Sequence, residues 1–356
     1  MPILSKEEAQ ALLKKVLSYS KADECEVSIY GSDSGNVRYA RNAVSTSGGV
    51  GLTQLAVSSS FGKKNGIATI NEYDDASLEK VVRRAEELAR LAPENPEYVS
   101  MLGPQQYREG NAYVPATAAV DPKFRADAVQ QSLQISKDNQ LTAAGFLENS
   151  SGYNAMMNSK GLFAYNAATH INFNVTMRTA DGQGSGYATK GYNDASKLDV
   201  GAASRYAAAK AARSTNAKAI EPGKYTVILE PAAGIVLLEN LYFGMDARQA
   251  DEGRSFLSKT GGKTRLGEKL VDERVNIYSD PLYPELPTAT WNGDGQPLEK
   301  TYWIEKGVVK NLSYSRYWAE KQKTKPLPQG NSFIMEGGAG SVEDLIKSTE
   351  KGILVT

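Results

Sequence analysis

The chain has 356 residues, 41% of them hydrophobic and 23% charged, which is typical of an ordinary globular protein long enough for two domains. Lys plus Arg and Asp plus Glu number 41 each, so no global field favours direct contact with nucleic acid or an acidic membrane surface. The single cysteine, Cys25, excludes an internal disulfide framework and indicates a reducing compartment.

The first ten residues, MPILSKEEAQ, lack the charged and apolar regions of a signal peptide. No apolar run approaches the length that is needed to cross a bilayer. We therefore expect a cytoplasmic protein that makes no membrane contact.

Residues 4–92 predict a helix, four short strands and a second helix. Ser5 and Glu8 have the spacing of a capping box, and Asp75 is expected to cap the second helix. Gly31-Ser32-Asp33 has good turn chemistry and is expected to separate two of the strands. The strands are expected at residues 25–30, 36–40, 50–58 and 66–70.

The same order of elements returns in residues 121–213. Asp121-Pro122 is typical of a helix start, and strands are expected around residues 141–148, 153–158, 169–178 and 186–189, before a helix at 199–213. The two segments also share residues before the last helix. Ala68-Thr69 corresponds to Ala188-Thr189, and Tyr73 to Ser77 corresponds to Tyr192 to Ser196. We interpret residues 4–92 and 121–213 as two copies of one unit, with coincidence as the alternative. Residues 97–120 are expected to be a linker or extended arm.

After Glu221-Pro222-Gly223 the sequence becomes richer in strand patterns, with a tight hairpin expected at Lys306-Gly307. Residues 244–263 are expected to be a long polar loop, a kind of segment that is often functional. The predicted fold class is α+β. Residues 1–220 form a duplicated layer of helices and antiparallel strands, and residues 221–356 form a mainly β, barrel-like domain.

The stretch from Lys224 to Ser255 organises this second domain. A strand at Tyr225 to Leu229 is followed by Pro231, which suits the first turn of a helix. The residues from Gly234 to Tyr242 have the spacing of an apolar helix, inside which Glu239 is the one carboxylate. From the residues alone, a solvent-facing Glu on a core helix explains this pattern.

This stretch resembles the strand and helix of the TldD/PmbA family, zinc metalloproteases that have also been described as modulators of DNA gyrase. In the active branch the helix carries His-Glu-x-x-x-His, preceded by Gly-x-Leu-Leu. Aligning Gly234 with that glycine places Leu238 and Phe243 at the two histidines and Glu239 at the glutamate. Further resemblances lie at Gly253 to Leu257, Asp280-Pro281 and Asn292 to Gly295.

The resemblance implies the PmbA-like (TldE-like) branch, whose members lack the histidines and pair with an active partner. The chain is then a non-catalytic or regulatory subunit that binds unfolded peptide or a small protein, as a homodimer or as a heterodimer with a TldD-like subunit. No cofactor is expected in this chain, since zinc belongs to the partner. Glu239 becomes a vestigial general-base position, and the peptide-binding candidates are Asp246, Arg248, Asp251 and Arg254.

Three further expectations follow from the resemblance. The helix 234–243 is expected to be buried beneath β structure. Strands of the 270–340 region are expected to form a subunit interface. Because chains of this family continue through further β structure, this chain is expected to be a truncated form or to complete its second domain differently.

Two other functions remain open. One is an active metallopeptidase with an atypical site around Glu239, which the missing histidines disfavour. The other is a non-enzymatic module that acts on DNA gyrase, for which direct DNA contact is disfavoured by the neutral charge balance. His170, the only histidine, lies in a strand pattern and cannot alone form a two-histidine zinc site. A Ser-His-Asp triad stays open, although the sequence has no Gly-x-Ser-x-Gly elbow.

Overall fold

The computed structural model describes residues 3–356. Its N-terminal part contains five α-helices and six strands. In chain order these are α1 (Lys6–Ser18), β1 (Glu24–Ala40), β2 (Ala43–Phe61), β3 (Lys64–Ile70), α2 (Asp75–Leu91), α3 (Pro115–Ala118), α4 (Pro122–Asp138), β4 (Leu141–Asn158), β5 (Phe163–Thr179), β6 (Ser185–Tyr192) and α5 (Val200–Arg213).

The C-terminal part contains shorter elements. They are β7 (Thr226–Leu229), α6 (Pro231–Phe243), α7 (Ala247–Asp251), β8 (Ser258–Lys259), β9 (Lys263–Thr264), β10 (Ile277–Ser279), β11 (Thr301–Glu305), β12 (Val308–Val309), α8 (Arg316–Gln322), β13 (Ile334–Met335), α9 (Val342–Lys347) and β14 (Gly352–Val355). The predicted α+β class is confirmed, whereas the strands of the C-terminal part form open sheets and no closed barrel within residues 3–356. No helix within residues 3–356 has the length and apolar character to cross a membrane.

The helices begin where local capping chemistry places them. The Ser5 side chain accepts a hydrogen bond from the Glu8 amide at 3.2 Å, and the Glu8 carboxylate accepts one from the Ser5 amide at 2.8 Å. Asp121 caps α4 by accepting a bond from the Phe124 amide at 2.8 Å. The predicted cap of α2 was wrong by one residue. Asp74 keeps an extended backbone and caps α2, so Asp75 is already its first helical residue.

The six long strands form one antiparallel sheet in the order β3-β2-β1-β4-β5-β6. The prediction of four strands per unit was wrong, because β1 and β4 each run unbroken through residues that were expected to form turns. Gly31 is paired with both Thr53 and Tyr153 inside the ladder. A Cβ atom there would collide with the Tyr153 ring, so this glycine permits a close approach and does not mark a turn.

The helix, three strands and helix occur twice, and all four long helices cover one face of the sheet. One buried cluster joins α1 and α2 to β1 and β2, and a second joins α4 and α5 to β4 and β5. The edge strands repeat one packing detail, because Gly66 lies against the backbone of α2 and Gly186 against the backbone of α5. The division into domains at residue 220 stays a prediction.

Residues 97–114 run as an extended arm between the sheet and the C-terminal part. At one end, the Tyr98 hydroxyl and the Met101 amide donate to the Glu24 carboxylate at 2.6 and 2.8 Å. Further along, the Tyr107 hydroxyl donates to the carbonyl oxygen of Gly295 at 2.6 Å. The arm therefore fixes the C-terminal part against the face of the sheet that carries no helices, which we call the free face.

The C-terminal part contains three small sheets around a core that is centred on Trp303. The order of the largest sheet is β12-β11-β10-β13, while β7 and β14 pair in parallel and β8 and β9 form a hairpin. Trp303 is fully buried and donates its indole N–H to the Ser279 hydroxyl at 2.7 Å. The hairpin at Lys306-Gly307 is confirmed. The expectation of a long polar loop was wrong, because residues 244–263 contain α7 and β8.

Glu26 in β1 gives the first testable prediction. Burial and the charge of Asp294 raise the pKa of its carboxyl to about 7 from an ordinary 4.5. The folded protein therefore binds this proton more tightly than the unfolded chain. The free energy of unfolding falls as pH rises from about 4.5 to about 7, and above that range this loss no longer grows. We expect Glu26→Gln to raise the free energy of unfolding by about 3 kcal/mol at pH 8 and to leave it unchanged at pH 4.

Urea denaturation of both proteins at the two pH values measures this effect. Glu94→Gln is the matched control, because Glu94 is exposed and forms no ion pair within the described part of the chain. An equal gain from Glu26→Gln at pH 4 and pH 8 would contradict the prediction.

Candidate functional site

Helix α6 is mostly apolar, with Glu239 and Asn240 as its exposed polar residues, and one side of it contacts the C-terminal core. Leu238, Leu241 and Tyr242 are partly buried against the cluster that contains Trp303. Leu237 and Phe243 are 61% and 72% exposed. The expectation that this helix is buried beneath β structure was wrong, because no side chain of α6 is fully buried and Val236, Leu237 and Phe243 are each more than half exposed.

Positions 238, 239 and 243 were singled out by the sequence, and α6 presents them in different directions. Leu238 is partly buried against the core, whereas Glu239 and Phe243 are exposed. Within residues 3–356 Glu239 has no ion-pair partner, and neither Arg248 nor Arg254 lies beside it. A single exposed carboxylate is therefore the only side-chain donor for a metal at these three positions.

The donor set at α6 does not fit a zinc ion. A catalytic zinc site needs three protein ligands, usually histidine, cysteine or carboxylate. Leu238 and Phe243 have no lone pair to offer, and in the described chain no group of three or more His, Cys, Asp and Glu side chains could hold a metal. No step that uses a metal is therefore derived for these residues.

A cleft of about 780 Å³ lies along one side of α6, and we call it the α6 cleft. Its walls come from α6, from β13 and from residues 283–286, and its lining is mostly apolar. Gly234 and Leu238 form part of the α6 wall, and Phe333 and Met335 face them. Largely apolar concavities of this size bind ligands through side-chain burial, so the α6 cleft is suited to apolar side chains of a bound chain.

Two of the four peptide-binding candidates, Asp246 and Arg248, lie at the start of α7. Asp246 is the N-cap of that helix and accepts a bond from the Gln249 amide at 2.7 Å. Arg248 forms two parallel bonds of 2.8 Å to Glu97 in the arm and a third to Glu252 at 3.0 Å. This guanidinium holds the pKa of the Glu97 carboxyl below its usual range.

The other two candidates also have partners inside the chain. Asp251 accepts a hydrogen bond from the indole N–H of Trp318 at 2.8 Å, and Arg254 pairs with Glu252 at 2.6 Å. The structure brings Arg248 and Arg254 together through their shared partner Glu252. None of the four candidates lines the α6 cleft. Their assignment to peptide binding stays a prediction.

No sequence pattern indicated the contacts that hold the start of α6. Glu230, which is 6% exposed, pairs with Lys210 of α5 at 2.8 Å and accepts a hydrogen bond from the Tyr206 hydroxyl. Burial and the Glu230 carboxylate raise the pKa of Tyr206 to about 12, so this hydroxyl stays a donor at neutral pH. We call these three residues the α6 anchor. They attach the cleft to the sheet domain.

Two family models match this chain. The PmbA/TldA metallopeptidase central domain matches residues 116–218, and the PmbA/TldA metallopeptidase C-terminal domain matches residues 222–356. A curated relative named metalloprotease, from Methanothermobacter thermautotrophicus, is 25% identical over 218 residues. That match includes 56% of this chain but 47% of the relative, so the shared segment spans about half of the relative's length.

Two solved structures have the same fold. TldE from Thermococcus kodakarensis matches with a TM-score of 0.84 at 20% identity, over 97% of this chain and 81% of that chain. A protein from Thermotoga maritima, named as a candidate modulator of a DNA gyrase, matches with a TM-score of 0.86 at 19% identity, over 98% of this chain and 82% of that chain. At these identities the likeness is one of fold.

Proposed function

Because this chain belongs to the TldD/PmbA family of metallopeptidase-like proteins, we propose that it is a non-catalytic or regulatory subunit of a peptidase. In this proposal it binds unfolded peptide together with a zinc-bearing partner of the same family. The observation that carries the proposal is the chemistry of α6, where Leu238 and Phe243 stand at the positions of the two family histidines. Relative to the active branch of the family, this chain has the helix but lacks its two metal-binding histidines.

The α6 cleft supports the peptide-binding half of the proposal. An unfolded peptide differs from a folded protein in exposing apolar side chains and unpaired main-chain groups. The cleft offers about 780 Å³ of mostly apolar space beside Leu238, in which such side chains become buried. Its carboxylates are Glu230, which the α6 anchor neutralises, and Glu285 and Glu336 near the rim.

The outer face of α6 supports the partner half of the proposal. Val236, Leu237 and Phe243 are each more than half exposed, on a helix with no compensating polar face. Contiguous exposed apolar surface of this kind marks protein–protein contacts in soluble proteins. A homodimer or a heterodimer with a TldD-like subunit would cover it. The earlier expectation that strands from residues 270–340 form the interface stays a prediction.

The test of this function is zinc content measured alongside peptidase activity. We expect the purified chain to bind no stoichiometric zinc and to cleave no unfolded peptide alone, since two of the three required ligands are hydrocarbon side chains. With a TldD-like partner that carries the complete motif, zinc and peptidase activity should appear together. Atomic absorption and cleavage of a fluorescently labelled, unfolded peptide measure the two quantities.

Glu239→Gln is the variant that separates this proposal from an active site within the chain. We expect the variant to retain partner-dependent cleavage, because Glu239 is exposed and has no metal beside it. Partner carrying Gln at its own motif glutamate is the matched control and should be inactive. Loss of cleavage in Glu239→Gln with unchanged folding and assembly, or one zinc bound per isolated chain, would contradict the proposal.

A further inference from the structure

The free face of the six-stranded sheet forms the floor of a second cavity, of about 630 Å³, which we call the polar trough. Residues 286–289 and Asn331 cover it from the C-terminal part. The floor consists of alternate residues of the three central strands β1, β4 and β5, and its polar members include Ser32, Glu148, Ser150, Asn154, Asn166 and His170.

Strand register brings these side chains next to one another. Ser150 of β4 is directly opposite Ser34 of β1 on one side and His170 of β5 on the other. Glu148 occupies the next row, two residues along β4 on the same face. Directly opposed residues on one face of an antiparallel sheet have Cβ atoms about 5 Å apart. The trough floor therefore presents hydroxyl, amide, imidazole and carboxylate groups in neighbouring rows, with the apolar positions Gly152 and Ala168 among them.

Most polar side chains of the trough floor have no partner inside the described fold, although the Ser34 hydroxyl donates to the Val50 carbonyl at 3.4 Å. Within residues 3–356, the six floor side chains named above form no side-chain hydrogen bond and no ion pair. The neighbouring amides on the walls differ, because Asn193 donates to the Thr169 carbonyl at 2.9 Å and Asn331 to the Trp291 carbonyl at 3.0 Å. Five of the six floor side chains are half-buried and His170 is exposed, so all six are accessible for hydrogen bonding with a ligand.

The charge of the trough limits what that ligand is. Glu148 is the one carboxylate among the lining residues, and no Lys or Arg lines the cavity in the described structure. An anionic ligand would meet an unpaired negative charge and no cation to offset it. A ligand that is neutral along its length and cationic at one point fits the lining.

The trough and the α6 cleft are neighbours. Leu286 lines both cavities, so the two lie on either side of this residue. The cleft offers apolar walls, and the trough offers donors and acceptors with one negative charge. An unfolded peptide combines the matching features in one molecule, namely apolar side chains, main-chain amides and basic side chains.

We propose that the polar trough binds an extended segment of an unfolded peptide through its main-chain amides, and that Glu148 selects a Lys or Arg side chain within that segment. This inference rests on the proposed function, because it names the sequence preference of the peptide that this subunit holds. Glu148 is a specificity-determining residue in this account and takes no part in cleavage.

The experiment uses the full chain and two fluorescein-labelled unfolded peptides that differ only in one central residue, Lys or Gln. Fluorescence anisotropy titrations should show the Lys peptide binding about fivefold more tightly, the size expected for one partly screened ion pair. Glu148→Gln should remove this preference by weakening the Lys peptide alone. Glu94→Gln makes the same charge change at an exposed site outside the trough and should keep the preference.

Ser150→Lys supplies a second variant, because it places a cation in the row next to Glu148. We expect it to reverse the preference, so that the Gln peptide binds more tightly, while circular dichroism shows an unchanged fold. Equal binding of both peptides to the wild-type chain would overturn the trough assignment and leave the proposed function standing. Binding of neither peptide would overturn both. A preference that survives in Glu148→Gln would overturn the role of Glu148.

Discussion

Lys210→Met is expected to lower the free energy of unfolding by about 3–5 kcal/mol, the range measured when one partner of a buried ion pair is removed. Lys210 and Glu230 are 12% and 6% exposed at the side chain, and their charged atoms are 2.8 Å apart. Methionine keeps the apolar stem of lysine but leaves the Glu230 carboxylate with the Tyr206 hydroxyl as its remaining side-chain partner. An uncompensated buried carboxylate is then part of the folded state.

Urea denaturation at pH 7 measures this loss, and Lys123→Met in α4 is the matched control. Lys123 pairs with Asp127 at an exposed position, where its side chain is 79% exposed, so its replacement should cause no measurable change. Lys210→Met combined with Glu230→Gln should recover much of the loss, since no unpaired charge remains. A loss of less than about 1 kcal/mol in Lys210→Met would show that the α6 anchor is not a buried pair in solution.

Gly186→Ala and Gly66→Ala are each expected to lower the free energy of unfolding by about 3 kcal/mol, at the upper end of the usual range for overpacking. The added methyl group would collide with backbone atoms of α5 at Ala207 and Ala211, or of α2 at Ala85 and Ala89. Backbone cannot turn aside as a flexible side chain can. Strand and helix must therefore separate, which loses packing contacts along the whole interface.

Gly51→Ala is the control for this pair, because Gly51 also lies in a strand and a Cβ atom there meets nothing within 4 Å. Its stability should equal that of the wild type or exceed it slightly, since alanine has less backbone entropy to lose. The same denaturation measurement applies to all three variants. A neutral result at Gly186 beside a neutral result at Gly51 would mean that the helices do not press on the edge strands.

Features that depend on neighbours in the chain could be predicted from the sequence. The capping box of Ser5 and Glu8, the proline at the start of α4 and the hairpin at Lys306-Gly307 involve residues within four positions of one another. Gly31 was misinterpreted for the opposite reason. A glycine is needed there because the Tyr153 ring of another strand packs against it. The neighbouring residues in the sequence are also typical of a turn, so the local pattern could not distinguish the two cases.

The same distinction between local and long-range features applies to the candidate site. The resemblance of α6 to the family helix placed Leu238 and Phe243 at the two histidine positions, and neither side chain can ligate zinc. Arg248 was assigned to a binding loop, yet its partner Glu97 lies 151 positions away in the arm, which no local pattern reveals. The exposure of α6 was also missed, because an apolar helix that faces a partner and one that faces a core have the same composition.

The strand order β3-β2-β1-β4-β5-β6 has a consequence for how the chain folds. Every pairing except β1 with β4 joins strands that follow one another in sequence, so each half can form its own hairpins early. The central pairing joins Glu26 to Asn158 and must wait for the closure of a long loop. During synthesis, the 17-residue strand β1 therefore has an open edge until the second half emerges from the ribosome. An open edge of that length can pair with strands of other chains. The chain is therefore most prone to aggregation before β1 pairs with β4.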